Sequence, residues 1–166
     1  IKINHQNGQQ DADGRKKMAD IVGCRMDLDL FEREDFLHEM IGYSGGCLRD
    51  LFLMIQEAGD HAESWDRERI TKEDFIHAVN GLKQDYRNLL SDKIEPGAGV
   101  NVVKIKATEY IEALKNVHRS AEDRAAGNSE AVLDLRQNLA ILSYNGEGWD
   151  ALHPIMAEVL RDQKII

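Results

Sequence analysis

The sequence predicts a mainly α protein in two parts, the second carrying one β-hairpin, and three observations point there. Apolar residues recur at three- and four-residue steps in several separate stretches, the spacing that lines up one face of a helix. Only two prolines interrupt the 166 residues, so long helices are allowed. One Asn-Gly turn, Asn145-Gly146, lies between runs of alternating apolar residues, which is a strong short-range hairpin signal.

Taken in order, Ile1-Lys2-Ile3 alternates like the end of a strand, and residues 4–14 form a polar loop with Asn7-Gly8 and Asp13-Gly14 as turn signals. A helix follows from about Arg15, with Met18, Ile21 and Val22 on one side. Leu28, Leu30 and Phe31 form a short apolar anchor. Residues 34–41 make a second helix with Phe36, Leu37, Met40 and Ile41 inward. A central helix begins after Tyr43-Ser44-Gly45-Gly46 and turns Leu48, Leu51, Phe52, Ile55, Ala58 and Ala62 to one face. Thr71-Lys72-Glu73-Asp74 reads as a helix cap, a capping box with Asp where Glu or Gln is usual, and Phe75, Val79, Leu82, Tyr86 and Leu89 carry the helix onward. These four helices form a small all-α domain over residues 15–92.

Residues 93–101, with Glu95-Pro96-Gly97-Ala98-Gly99, have the composition of a linker. Beyond it, residues 107–120 form a helix with Tyr110, Ile111, Leu114 and Val117 on one face. Ser129 caps a second helix carrying Ala131, Val132 and Leu135. The hairpin around Asn145-Gly146 comes next, and Pro154 opens a closing helix with Ile155, Met156, Val159 and Leu160. Helix, helix, hairpin and helix is the outline of a winged-helix domain, over residues 102–166.

Composition bounds the function. With 42% hydrophobic and 31% charged residues the chain has the make-up of a globular protein, and no apolar run approaches the roughly 20 residues of a membrane span. Two cysteines without metal or disulfide spacing fit a reducing, cytoplasmic setting. Six histidines form no metal-binding spacing, so no metal site is expected. The net charge of −9 disfavours a general grip on DNA or anionic lipid. The first 99 residues carry 13 Lys/Arg against 20 Asp/Glu and the rest 8 against 10, so the second part is the better candidate for any nucleic-acid contact.

The candidate site is the run from Tyr43 to Asp50. Arg49 falls in the first turn of the central helix, beside N–H groups without intrahelical partners and at the positive end of the dipole, a place suited to phosphate. Ser44-Gly45-Gly46-x-x-Arg49 resembles the sensor 2 element of AAA+ ATPases, whose arginine reaches the γ-phosphate from a helical lid domain. Ile1-Lys2-Ile3, residues 21–25 before Leu30-Phe31, Ile70-Thr71-Lys72-Glu73-Asp74, Tyr144-Asn145-Gly146-x-x-Trp149 and His153-Pro154 extend the likeness over nearly the whole chain. Together they resemble the C-terminal part of AAA+/STAND-type ATPases related to origin-recognition initiators.

The resemblance implies that residues 1–14 leave an ATPase core lying before Ile1, that 15–92 is the lid, and that the whole protein uses ATP with Mg. The sequence has no Gly-x-x-x-x-Gly-Lys-Ser/Thr loop and no strand ending in an acidic pair, so this fragment is expected neither to hydrolyse ATP nor to hold it tightly. Ser44, Gly45, Gly46 and Arg49 are the expected nucleotide-sensing group. Arg136, Gln137, Asn138, Tyr144, Asn145 and Trp149 are the expected contacts of the winged helix, with a protein partner first and DNA as the alternative, because Glu147 stands at the wing tip where Lys or Arg would meet phosphate. Trp149 is expected to pack within the hairpin rather than stack on a base. His153 reads as a helix-entry residue, and Cys47, beside the turn, as a thiol of lowered pKa without a paired base. A further alternative is a structural adaptor with no nucleotide role.

Overall fold

The computed structural model describes residues 1–96, 101–119, 127–144 and 149–166. Among these the fold is mainly α, with seven α-helices and two separate two-stranded antiparallel sheets. Residues fall into two compact units, Ile1–Gln84 and Asp85–Ile166.

In the first unit, α1 (Ala12–Gly23) is capped by Asp11, whose side chain accepts from the Gly14 N–H at 3.0 Å. The helix therefore starts ahead of Arg15 and takes in Asp13-Gly14, which is not a turn. Glycine is needed at 14 for another reason: a Cβ there would lie 1.7 Å from the Lys2 carbonyl oxygen. The Asn7-Gly8 signal does mark a turn, with Gly8 at φ +84°. A 3-10 turn, Leu28–Leu30, leaves both leucines exposed, and only Phe31 of that anchor is buried. Backbone bonds from Ile70 N–H to Leu30 and from Glu32 N–H to Ile70 tie it to the approach of the fourth helix.

The helix α2 (Glu34–Tyr43) buries Phe36, Leu37, Met40 and Ile41, the expected face. In α3 (Leu48–Ser64) the face is rotated slightly: Leu51, Ile55, Ala58 and Ala62 are buried, joined by Met54 and Asp50 rather than by Leu48 and Phe52. The helix α4 (Lys72–Asn88) begins at the Asp-for-Glu capping box, in which the Thr71 N–H donates to Asp74 Oδ2 at 2.8 Å. Phe75, Val79, Leu82 and Tyr86 are buried along it.

The stretch read as a linker holds secondary structure. β1 (Lys93–Pro96) pairs antiparallel with β2 (Asn101–Ile105), and the division between units falls within α4 instead. Turn-forming composition at 96–99 signals a hairpin as readily as a linker, and pairing satisfies the backbone groups that a free linker would leave to water. Among its described residues the second unit thus has two antiparallel strand pairs where one was expected.

The rest of that unit follows the expected order. α5 (Ala107–Arg119) buries Tyr110, Ala113, Leu114 and Val117. α6 (Glu130–Gln137) is capped by Ser129, which accepts from the Val132 N–H at 3.3 Å, and buries Ala131, Val132 and Leu135. β3 (Ile141–Tyr144) pairs antiparallel with β4 (Trp149–Leu152). Pro154 opens α7 (Pro154–Asp162), whose Ile155, Met156, Val159 and Leu160 are all fully buried, worth roughly 1.5–3 kcal/mol each in area removed from water. No helix among the described residues is long and apolar enough to cross a membrane.

Candidate functional site

The Ser44-Gly45-Gly46 turn is built from the sequence in a way that explains each residue. Ser44 is fully buried; its Oγ donates to the Ile41 carbonyl at 2.8 Å and accepts from the Gly46 N–H at 3.2 Å, ending α2 and fixing the turn. Gly45 and Gly46 sit at φ +61° and +87°, a region that side chains enter only with strain. Gly46 has a second constraint, since a Cβ there would stand 1.7 Å from the Ile1 carbonyl oxygen. The Ile1 nitrogen donates to the Gly46 carbonyl at 2.8 Å, and Ile3 beyond it is fully buried. The first three residues therefore lie directly against the turn.

This turn delivers Arg49 to the first turn of α3. The N-cap, Cys47, makes no side-chain capping bond. Arg49 is 61% exposed, and its Nε donates to Asp50 Oδ1 at 2.9 Å, while the Asp50 side chain is 1% exposed. A buried carboxylate at this point was not anticipated; its only sequence signal is an acidic residue in a first helical turn, which is common on solvated surfaces. The Cys47 thiol is not activated. Burial pushes its pKa up and outweighs the N–H groups of Asp50 and Arg49 that act the other way.

A second polar centre closes the end of α3 onto the start of α4. Asp74 is fully buried, with His61 Nδ1 at 2.6 Å, Arg67 Nη1 at 2.7 Å and Thr71 Oγ1 at 2.6 Å. Burial alone would raise its pKa, but the Thr71, His61 and Arg67 interactions prevail and hold it at about 2. His77 stacks on His61 with ring centres 4.1 Å apart. Elsewhere in the first unit a cleft of about 530 Å³ is lined by Ala19, Leu28, Phe31 and Leu37 together with Asp20 and Glu34, and includes none of residues 44–50.

The expected contacts of the second unit are dispersed in role. Arg136 is spent on the fold: its Nη2 donates to Asp150 Oδ2 at 2.8 Å and its Nη1 to Asn128 at 3.1 Å, with Asp150 only 6% exposed. Ser143 Oγ also donates to Asp150, so one buried carboxylate joins α6 to both strands of the hairpin. Asn138 caps the end of α6, its Nδ2 donating to the Asp134 carbonyl at 2.9 Å. Gln137 is exposed. Tyr144 and Trp149 are register partners whose rings stack 4.3 Å apart, and Trp149 is buried, so neither offers an open stacking platform. Asn145 lies outside the described residues. His153 serves helix entry: its Nδ1 accepts from the Ile155 N–H at 3.2 Å, and Tyr86 stacks on it at 4.7 Å.

No protein-family model, curated protein or solved structure matches the chain. Among the described residues, no group of three or more His, Cys, Asp or Glu side chains is placed to hold a metal ion.

Proposed function

We propose that this chain is the regulatory region of an AAA+/STAND-type ATPase, with Arg49 as the residue that senses the γ-phosphate and the second unit as a winged-helix module that contacts a protein partner. The observation that carries the reading is the exposed guanidinium at the head of α3, on a turn against which Ile1-Lys2-Ile3 packs. In this reading those three residues come from an ATPase core that supplies the phosphate loop and the Mg site. ATP would supply the phosphate chemistry there, with Arg49 of this chain meeting only its outer end. Arg49 would favour ATP over ADP, and a ligand that distinguishes two states of a lid shifts it between them. Movement of the Gly45-Gly46 turn then reaches Ile1-Lys2-Ile3 through the 2.8 Å bond at Gly46.

Arg49→Ala in the full-length protein is expected to reduce ATP hydrolysis or uncouple it from the response. Unchanged turnover together with unchanged output would sink the assignment and leave the adaptor reading. The residues encoded before Ile1 offer a quicker check, because the proposal requires a phosphate loop and an acidic strand end among them.

DNA binding has less support. Arg136 is committed to Asp150, Trp149 is buried, and the neighbouring Asp134 bears a carboxylate held by Lys93 and by Tyr110 at 2.7 Å. A protein contact asks for no row of free cations. Salt-dependent anisotropy with duplex DNA separates the two, since phosphate binding weakens steeply as salt rises.

A further inference from the structure

We propose that the cleft between α1 and α2 is a docking site for a basic amphipathic peptide segment of a partner protein, which seats an apolar side chain between Leu28 and Leu37 and sets lysine or arginine against Asp20 and Glu34. The proposal is independent of any role for Arg49.

The cleft has a volume of about 530 Å³, within the span of sites that enclose a large side chain or a small ligand. Helix α1 gives it Ala19 and Asp20, the 3-10 turn gives Leu28, and α2 gives Glu34 and Leu37. Phe31 and Leu37 are its buried apolar lining, whereas Leu28 is 40% exposed. Leu30, on the same turn but outside the cleft, is 43% exposed. The turn that carries both leucines is tied down at each end. Asp27 Oδ1 accepts from the Asp29 N–H at 3.0 Å, and the Ile70 N–H donates to the Leu30 carbonyl at 2.7 Å. Two leucines are thus held outward on backbone that is already ordered, so a partner that covers them has little ordering left to impose. A small ligand in the cleft would leave Leu30 in water, whereas a peptide can cover both.

Charge selects the kind of peptide. Asp20 and Glu34 line the cleft, and among the described residues no lysine or arginine does. The cations adjacent in sequence are engaged elsewhere: Arg25 lies over the Phe52 ring, 5.3 Å from its centre, and the Arg33 Nε donates to Asp35 at 3.0 Å. His38 also lines the cleft, with Nε2 4.0 Å from Glu34 Oε1. Glu34 has a local reason to be acidic, since it opens α2, where the helix dipole favours an anion. Asp20 has none. It stands in the last turn of α1, where the dipole favours a cation and no basic residue is present. A charge set against its own helix is a break in local consistency of the kind expected at functional positions. The first 99 residues carry 13 Lys/Arg against 20 Asp/Glu, so the surrounding field also attracts a basic segment and repels an acidic one. An apolar cleft with acidic edges fits a helix that lays an apolar face in a groove and carries lysine or arginine beside it.

The test titrates the full-length protein with three labelled helical peptides of about 14 residues, roughly four turns, followed by fluorescence anisotropy. The first has leucines along one face and lysines beside them, the second has glutamate for lysine, and the third has serine for leucine. The first is expected to bind at least about tenfold more tightly than either of the others. Asp20→Asn/Glu34→Gln should weaken it by about fivefold, and Leu28→Ser by about tenfold. Glu57→Gln/Asp60→Asn removes the same charge from exposed positions outside the cleft and should change affinity by less than about twofold. Cys24 is exposed and lines the cleft, so its alkylation, read by the mass of its proteolytic fragment, should slow when the first peptide is bound. That measurement needs no variant and decides the question should a substitution fail to fold. No saturable binding, equal affinity for the three peptides, a loss in Glu57→Gln/Asp60→Asn as large as in Asp20→Asn/Glu34→Gln, or unchanged alkylation of Cys24 at saturation would each overturn the proposal.

Discussion

The head of α3 in the first unit and the corner of α6 with its hairpin in the second use the same pair of residue types to different ends. At the corner, Arg136 and Asp150 are both largely enclosed, and the carboxylate is shared with Ser143. At the head of α3 only the aspartate is enclosed. A buried ion pair whose partners are both taken from water is part of the packing, and removing one partner strands the other. A buried carboxylate beside a largely exposed arginine leaves the cation's side chain at the surface while the carboxylate belongs to the packing.

The largest effect expected from testing this contrast lies at Asp74, where both kinds of partner are enclosed. Asp74→Ala strips His61, Arg67 and Thr71 of a shared acceptor and should cost roughly 3–5 kcal/mol in chemical denaturation followed by helical circular dichroism. A loss under about 1 kcal/mol would be that of an exposed surface pair. Arg136→Ala should follow at about 3 kcal/mol, read through the fluorescence of buried Trp149. An unfolding free energy within about 1 kcal/mol of wild type in the variant would place the pair outside the packing.

Acid comes next. The folded-state pKa of Asp74 is depressed from 3.8 to about 2, so its contribution is fully present above the unfolded value. It is lost as pH falls below about 4 toward 2, and the shift corresponds to about 2 kcal/mol. Asp74→Asn should flatten that part of the stability profile; a profile still as steep would assign acid lability to other carboxylates. Arg49→Ala should have the smallest effect on stability, about 1 kcal/mol or less, because its side chain is mostly in water. A cost matching that of Arg136→Ala would make Arg49 a packing residue of the same kind, and the contrast between the two regions would vanish.

Much of the fold was legible because it is written locally. The four inward residues of α2, the Ser129 cap and buried face of α6, and the His153-Pro154 entry to α7 all follow from spacing and cap chemistry within a few residues. The β1–β2 hairpin was not, because Glu95-Pro96-Gly97-Ala98-Gly99 suits a linker and a turn equally, and the flanking strands bury little. Of the candidate site, the turn and Arg49 were legible from Ser44-Gly45-Gly46. Asp50 was not, since whether an acidic residue in a first helical turn faces water or the interior depends on which face of α3 is covered.

By itself the sequence determined the helices, their caps and the left-handed glycine turn, since these are set by side-chain periodicity and backbone sterics over one or two turns of chain. Only the tertiary structure decided which charges are buried and with whom. His61 meets Asp74 across 13 residues, Arg136 meets Asp150 across 14, and Ile1 meets Gly46 across 45. Such pairings are fixed when elements close over one another and remove water, and that is what leaves the Arg136 side chain 27% exposed and the Arg49 side chain 61% exposed.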